Sequence, residues 1–221
     1  MENKQIERAY ELVADGNFKE AIEIFEEFSK ENPNSIYPRL EIASFYYVLG
    51  DLTNCINTYL GVLEKNPNNV YVLYRLGVAY YRSTHFTEAL ATFSKIIESG
   101  KNLPMTYLWQ GLTYYHLGRE DSSIECYKKL LELSSDTTMA KYYLGIALKA
   151  FGEFDEALGF FKQLIEENEN HMSARYHLAK LYMKTHKYDA AKEELQKIAA
   201  FDSGNKNVES MLNYILADYD I

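Results

Sequence analysis

A period of 34 residues runs through almost the whole chain and constrains its fold more than any other feature. Four glycines are separated by 34 residues or by twice that number: Gly16, Gly50, Gly118 and Gly152. Thr84 and His186 occupy the same place in the two copies that lack this glycine. The sequence therefore predicts six adjoining windows: 2–35, 36–69, 70–103, 104–137, 138–171 and 172–205. Such a period is typical of chains that stack one small structural unit many times.

Each window contains two helical patterns with a short break between them. In the second window, Ile42, Ala43 and Tyr46 recur at helical spacing before the break at Gly50. A second amphipathic run follows, with apolar residues at Cys55, Ile56, Tyr59, Val62 and Leu63. It ends at the turn-forming segment 66–69. The predicted unit is helix, short turn, helix, short turn.

The same windows resemble the tetratricopeptide repeat family. Its signature places a large residue, Leu, Gly or Ala, and Tyr on the first helix, and Ala, an aromatic residue and Pro on the second. The third window matches at Leu73, Leu76, Gly77, Tyr80, Ala89 and Phe93. The fifth matches at Leu144, Gly145, Ala157 and Phe161. The resemblance covers residues 2–205 and implies an all-α fold, a right-handed α-solenoid of six helix-turn-helix (TPR) repeats forming a single domain over 1–221.

Small residues at one place on each helix are expected to let the two helices of a unit approach closely. On the first helices they are Ala9, Ala43, Gly77, Gly111, Gly145 and Ala179, and on the second Ala21, Cys55, Ala89, Ser123, Ala157 and Ala191. The fourth window departs from the family pattern, with Gln110 for Leu, Ser123 for Ala, and Glu120 where an aromatic residue is usual. We therefore expect the fourth repeat to be the loosest.

Both ends of the repeat array carry sequences suited to solvent. Gln5 and Arg8 stand in the first window where later windows mostly have Leu, Ile or Tyr. Residues 206–221 place apolar side chains at helical spacing: Val208, Met211, Leu212, Ile215, Leu216 and Tyr219. This pattern predicts a C-terminal capping helix that covers the sixth repeat. The alternative is a dimer contact through Met211 and Ile215.

The charge balance argues against nucleic-acid and membrane partners. The chain has 23 Lys and Arg against 32 Asp and Glu, a net charge of -9, so a basic face for phosphates is not expected. No uncharged apolar stretch approaches 18 residues, which predicts no direct membrane insertion. The charged start at 1–8, the two cysteines and the absence of Asn-x-Ser/Thr acceptors favour a cytoplasmic location.

No pattern predicts catalysis, a metal or a cofactor. The five histidines show no metal-ligand spacing beyond the loose pair His171 and His177. Cys55 occupies a small-residue place on a second helix and is expected to be buried and inert, and no base pairs with it or with Cys126. Gly100 and Lys101 resemble a fragment of a phosphate loop, but their place favours a glycine at a helix C-terminus. The chain is predicted not to be an enzyme.

The family resemblance implies a binding groove. In these proteins the first helices line a concave surface, to which the second, fifth, sixth, ninth and twelfth places of each repeat point. The second place, often polar in the family, reads Tyr37, Tyr71, Met105 and Met139 in four consecutive windows. The predicted groove consists of Tyr37, Leu40, Tyr47, Tyr71, Tyr74, Arg75, Val78, Tyr81, Met105, Leu108, Trp109, Leu112, Tyr115, Met139, Tyr142, Tyr143, Ile146 and Tyr176. Exposed aromatic and Met side chains are typical of interaction sites.

One known ligand of the family is not expected. Co-chaperones that bind the acidic, EEVD-type C-terminal tails of heat-shock chaperones use a clamp of Lys, Asn and Arg at fixed places. The first three windows have Ile6, Tyr10, Glu41, Tyr71 and Arg75 at those places, of which only Arg75 fits. The later frames match no better, so the clamp is absent.

The sequence favours a non-catalytic scaffold or adaptor that binds a protein or peptide partner in an apolar, aromatic groove. The bound segment could be extended or an amphipathic helix. The alternative is a self-assembling structural protein, a homodimer or larger homo-oligomer formed through the groove or the C-terminal helix. A lesser alternative is a chaperone for a secreted or membrane-associated partner.

Overall fold

The computed structural model describes the backbone of residues 2–101 and 103–219 and the side chains of 4–101 and 103–217. These residues form thirteen α-helices and no strand: α1 (Glu2–Ala14), α2 (Phe18–Glu31), α3 (Tyr37–Leu49), α4 (Leu52–Lys65), α5 (Val70–Arg82), α6 (Phe86–Glu98), α7 (Pro104–His116), α8 (Glu120–Leu133), α9 (Thr138–Phe151), α10 (Phe154–Glu167), α11 (Met172–Lys184), α12 (Tyr188–Phe201) and α13 (Lys206–Tyr219). The first twelve helices fall two to a window, and the predicted all-α helix-pair fold is confirmed.

The turn inside each pair uses a left-handed residue at the same place of every window. The glycines there have φ angles between 68° and 104°. Thr84 and His186 adopt φ of 62° and 57°, so they take the conformation of the glycine they replace. Gly100 also has a positive φ, 71°, directly after α6, which confirms a helix-terminal glycine.

The chain divides into two compact units between Thr113 and Tyr114. In the first unit, apolar clusters connect each helix pair to the next. Tyr59 and Val62 of α4 pack with Val72 and Leu76 of α5, just as Phe25 of α2 packs with Ile42 and Phe45 of α3. No pair buries its apolar side alone, which is why such units stack. The predicted single domain over 1–221 stays a prediction.

Small residues permit the close helix packing that the sequence predicts. A Cβ atom added to Gly77 would lie 2.4 Å from Cε1 of Phe93, and one added to Gly145 would lie 2.9 Å from Cζ of Phe161. Atoms this close would force the aromatic ring to move. The glycines on α5 and α9 therefore let the aromatic rings of α6 and α10 pack against the backbone.

Helix α13 packs on the sixth helix pair in the second unit. Its residues Val208 and Ile215 are buried in a cluster with Leu195 and Ile198 of α12, and Met211 and Leu212 pack against the cluster's edge. The predicted covering of the sixth repeat is therefore observed. The assignment of Leu216 to this face is wrong, because it lies about 100° around the helix from Ile215 and is exposed. The side chain of Tyr219 lies outside the described residues.

The fourth repeat buries polar side chains where other repeats have apolar ones. Thr106, Gln110 and Thr113 of α7 are buried, as is Ser123 of α8. The Thr113 hydroxyl donates to the carbonyl of Trp109 at 2.6 Å. The Ser123 hydroxyl has no hydrogen-bond partner among the described residues. A buried polar group without a partner destabilises the folded state, which fits the expectation of a loose fourth repeat.

Replacement of Ser123 by Ala is expected to stabilise the protein by about 1 kcal/mol, because it removes a buried hydroxyl that lost its water on folding. Urea denaturation measures the change. The reverse substitution at the equivalent place, Ala157→Ser, is the control and should destabilise by a similar amount. A less stable Ser123→Ala protein would mean that this hydroxyl contributes favourably to the core.

Candidate functional site

The second residue of four consecutive windows is a large, exposed, apolar or aromatic side chain. These residues are Tyr37, Tyr71 and Met105 in the first unit and Met139 in the second. Tyr71 is 51% and Met105 39% exposed, whereas Val72 and Leu73, next to Tyr71 on α5, are buried. These helices therefore bury one side and expose aromatic and Met side chains on another.

Two of these side chains line one cavity in the first unit. A cavity of about 460 Å³ lies between the start of α5 and the start of α7. Its lining consists of Val70, Tyr71, Tyr74, Arg75, Leu103, Pro104 and Met105, and we call it the Tyr71 cavity. The lining is apolar except for two phenol groups and one guanidinium. A site of this composition suits an apolar side chain with a polar group beside it.

The walls of the Tyr71 cavity are fixed by local structure. Asn69 caps α5, accepting a hydrogen bond from the backbone N–H of Val72 at 3.2 Å. Pro104 begins α7, where its missing N–H costs nothing. Tyr71 and Arg75 are one helical turn apart, and the guanidinium donates to the Tyr71 hydroxyl at 3.1 Å. Arg75 therefore holds a positive charge at the cavity's edge.

Tyr74 lines the Tyr71 cavity, and its side chain is half-buried. The indole N–H of Trp109 donates to its hydroxyl at 2.9 Å, and the ring of Tyr81 meets Trp109 edge-on at 5.2 Å between centroids. Burial raises the pKa of the Tyr74 phenol, so it stays protonated at neutral pH. Tyr74, one of the predicted groove residues, is therefore half-buried by this network and only partly accessible.

Two predicted groove residues are buried and do not reach the surface. Leu108 is only 2% exposed, and Val78 packs with Ala89 and Phe93 in the core of the third helix pair. The remaining predicted residues of the first unit are half-buried: Leu40, Tyr47, Tyr81, Trp109 and Leu112. Tyr47 is covered by Arg82, whose guanidinium lies 4.3 Å from the ring centroid. Of the predicted groove residues of the first unit, Tyr37, Tyr71 and Met105 are exposed, and the last two border the Tyr71 cavity.

Sequence reasoning missed three lining residues of this cavity: Val70, Leu103 and Pro104. Val70 and Pro104 are the first residues of α5 and α7, and Leu103 lies just before α7. None of the three occupies a groove place of the repeat. The apolar run 103–105 is the sequence signal that could have predicted Leu103 and Pro104 as lining residues. The earlier windows have polar Asn-Pro turns at the corresponding connections.

The second unit brings two of its predicted tyrosines together. Tyr142 and Tyr176 line a cavity of about 330 Å³ with His177, which the sequence did not assign to a site. Tyr143 instead stacks on Tyr127, with centroids 5.8 Å apart. Tyr115 and Ile146 are half-buried. The aromatic surface of this unit is therefore centred on Tyr142 and Tyr176.

The described residues also show how potential metal ligands, the cysteine thiols and the apolar helices are arranged. No three His, Cys, Asp or Glu side chains there are arranged to hold a metal ion. Cys55 and Cys126 are buried, and burial raises the pKa of their thiols to about 11 and about 12. Neither thiol is a reactive thiolate at neutral pH. None of the described helices combines the length and apolar character needed to cross a membrane.

Comparison with known proteins gives the class of this fold. Three stretches match family models described as tetratricopeptide repeat, residues 71–99, 106–137 and 148–213. No curated protein sequence matches the chain. The chain is a tetratricopeptide repeat protein. The matched stretches do not set the number of repeats, so six stays a prediction.

Several solved structures have the same fold. YrrB, described as a TPR protein with an unusual peptide-binding site, has a TM-score of 0.69 at 22% identity, covering 84% of this chain and 96% of YrrB. PilW, described as a widely conserved type IV pilus biogenesis factor, has a TM-score of 0.80 at 17% identity, covering 96% of this chain and 98% of PilW. A tetratricopeptide repeat protein from Parabacteroides merdae has a TM-score of 0.73 at 16% identity, covering 97% and 98%. At these identities the likeness concerns the fold.

Proposed function

We propose that this protein is a non-catalytic scaffold or adaptor that binds a segment of a partner protein on the exposed side of its first helices. The observation that carries the proposal is the Tyr71 cavity, an apolar depression of about 460 Å³ bordered by the exposed Tyr71 and Met105. Exposed apolar side chains gathered around a depression are typical of binding sites.

The lining of the Tyr71 cavity suggests how a segment binds. One apolar side chain of the partner enters between Tyr71 and Met105, where aromatic and thioether groups provide most of the contact energy. The guanidinium of Arg75 lies at the edge and pairs with a main-chain carbonyl or carboxylate of the segment. The fixed pair Tyr74–Trp109 forms a wall that does not need to reorganise on binding.

The fold comparison is consistent with this role without identifying the partner. YrrB is described as having a peptide-binding site, which is a property of that protein. The present chain has its own lining residues, and the proposal rests on them. The predicted absence of nucleic-acid, EEVD-type and membrane-inserted partners stays a prediction.

Self-assembly is the second candidate, favoured by a different surface. Tyr214 and Leu216 of α13 and Phe201 at the end of α12 are exposed apolar side chains in the C-terminal region. A homodimer formed there would bury them.

Site-specific photo-crosslinking tests the two candidates together. A benzophenone side chain replaces Tyr71 in the first unit, and in a control protein it replaces Leu60, which is 40% exposed on α4 and does not line the cavity. In the native host, position 71 is expected to crosslink to a distinct partner protein far more than position 60. Equal labelling at both positions would contradict the proposal, and a product of twice the chain's mass would favour self-assembly.

A further inference from the structure

A histidine in the second unit is held between a lysine and a tyrosine. The Nζ atom of Lys149 lies 2.9 Å from Nδ1 of His177, and the Tyr142 hydroxyl lies 3.3 Å from its Nε2. The imidazole stacks on Phe161, with centroids 5.2 Å apart and planes 18° apart. The ring is therefore fixed on both edges and on one face.

These contacts set the protonation state of the histidine. An ammonium group has only donors, so Nδ1 of His177 accepts from Lys149 and the ring proton is on Nε2. Burial and the positive charges of Lys149 and Lys180 lower the pKa of His177 to about 4. The imidazole is neutral at pH 7, and Lys149 is left with two further N–H groups for another acceptor.

No acidic side chain balances the positive charge near His177. Lys149, Lys180 and Lys184, which we call the lysine cluster, form no ion pair within the described residues. Burial, followed by the like charges of Lys180 and Lys184, lowers the pKa of Lys149. Lys180 and Lys184 instead lie over the rings of Tyr176 and Phe154. Lys149 is half-buried, whereas Lys180 and Lys184 are exposed, so the cluster presents positive charge that no carboxylate of the described residues pairs with.

Two cavities lie beside this cluster: His177, the contact of Lys149, lines one of them, and Lys180 lines the other. The first, of about 330 Å³, includes His177 and Ser173, and the second, of about 380 Å³, includes Lys180. Tyr176 and Asn207 line both, so the two cavities are neighbours beside α11. Among the described residues that line them there is no carboxylate, whereas hydroxyl, amide and ammonium donors are present. Such a lining is suited to an anion.

The apolar part of the lining favours carboxylates carried on aliphatic chains. Met172 lines the first cavity, and Met183 and Met211 line the second. Their flexible thioether side chains pack well against methylene groups. A glutamate side chain offers both methylenes and a carboxylate, and so matches both parts of this lining.

We propose that the lysine cluster and the cavities beside His177 bind glutamate side chains of an acidic segment of a partner protein. Lys149 and Lys180 pair with the carboxylates, and the methionines contact the side-chain methylenes. Lys149 and Lys180 occupy the twelfth and ninth places of their windows, and the family's known clamp has no Lys at either place. This inference rests on the proposed function in one respect, because the ligand is again a segment of a partner protein. The residues that would bind glutamate are different from those that line the Tyr71 cavity.

A capped hexaglutamate peptide is the probe, and capped hexaglutamine is its uncharged counterpart. Hexaglutamate is expected to bind the full chain and to shift the ring signals of His177 in NMR spectra, while those of His85 in the first unit stay unchanged. Lys149→Met and Lys180→Met keep the length of the side chain and should each weaken binding about tenfold, the size of one charge-assisted contact. The control Lys128→Met, on exposed α8 surface, should bind like wild type.

Thermal melts show whether these variants fold. Lys149→Met is expected to melt at or above the wild-type temperature, because it removes a partly buried positive charge. Lys180 is exposed, so Lys180→Met should fold like wild type and tests the binding of hexaglutamate without a change in the core. Hexaglutamate binding no tighter than hexaglutamine, or unchanged in both variants, would overturn the inference. Tyr71→Ala should leave hexaglutamate binding intact, so failure of the Tyr71 cavity as a site is distinguishable from failure of this one.

Discussion

Deletion of residues 206–221 is expected to lower the melting temperature sharply and to cause aggregation. Val208 and Ile215 are buried against Leu195 and Ile198 of α12, so their removal exposes apolar surface on both sides of that contact. Fully burying one such side chain is worth roughly 1.5–3 kcal/mol, and two are lost together with the contacts of Met211 and Leu212. Thermal melts and light scattering of the truncated chain measure both effects.

Substitution on the outer side of the same helix serves as the control. Tyr214 and Leu216 are exposed, so Tyr214→Ser and Leu216→Ala should leave the melting temperature nearly unchanged. A truncated chain that stays monomeric with the wild-type melting temperature would show that α13 does not cap the solenoid. The helix would then be a stronger candidate for the contact between copies of the chain.

Leu76→Ala is expected to destabilise the protein by roughly 2–5 kcal/mol, because Leu76 is 3% exposed and packs with Tyr59, Val62 and Val72. The substitution leaves a cavity that the surrounding helices cannot fill completely. Tyr71, on the same helix, is 51% exposed, and Tyr71→Ala should change stability by only about 0.5 kcal/mol. Urea denaturation of both variants gives the comparison.

The pair separates the core of α5 from its exposed side. If Tyr71→Ala destabilises as strongly as Leu76→Ala, Tyr71 is part of the core and the Tyr71 cavity is not available for a partner. If Leu76→Ala unfolds with the wild-type midpoint, the cluster between the second and third helix pairs contributes little to folding.

The sequence could predict the helices and turns because these depend on local patterns. Amphipathic spacing places the helices, and a left-handed residue at one place of each window ends the first helix of a pair. The left-handed backbone shared by Gly50 and Thr84 illustrates this, since the repeat position predicts a conformation that the residue type alone does not. The close approach at Gly77 follows from the same register, which also places Gly145 against the ring of Phe161.

The accessibility of individual groove residues could not be predicted in the same way. The exposure of a side chain depends on how neighbouring helix pairs pack. The place of a residue in the repeat does not specify that packing. Val78 and Leu108 occupy groove places in the register but are covered by packing. Tyr74 is half-buried because of Trp109, which is 35 residues away in sequence.

The lysine cluster was missed for a related reason. Lys149 and His177 are 28 residues apart, so their 2.9 Å contact is visible only in three dimensions. Neither residue belongs to a recognisable motif, and the window containing Lys149 is acidic overall. A cluster of positive charge in this negatively charged protein becomes visible only when side chains of different helices, α9 and α11, are placed together.

Affinity for the crosslinked partner tests the central claim most directly. The full chain, Met105→Ala and Leu60→Ala are compared by calorimetry, since Met105 and Leu60 are 39% and 40% exposed but only Met105 lines the Tyr71 cavity. The proposal predicts that Met105→Ala weakens binding by about 2 kcal/mol, roughly thirtyfold, while Leu60→Ala binds like wild type. Equal affinity of all three proteins for the partner would contradict it.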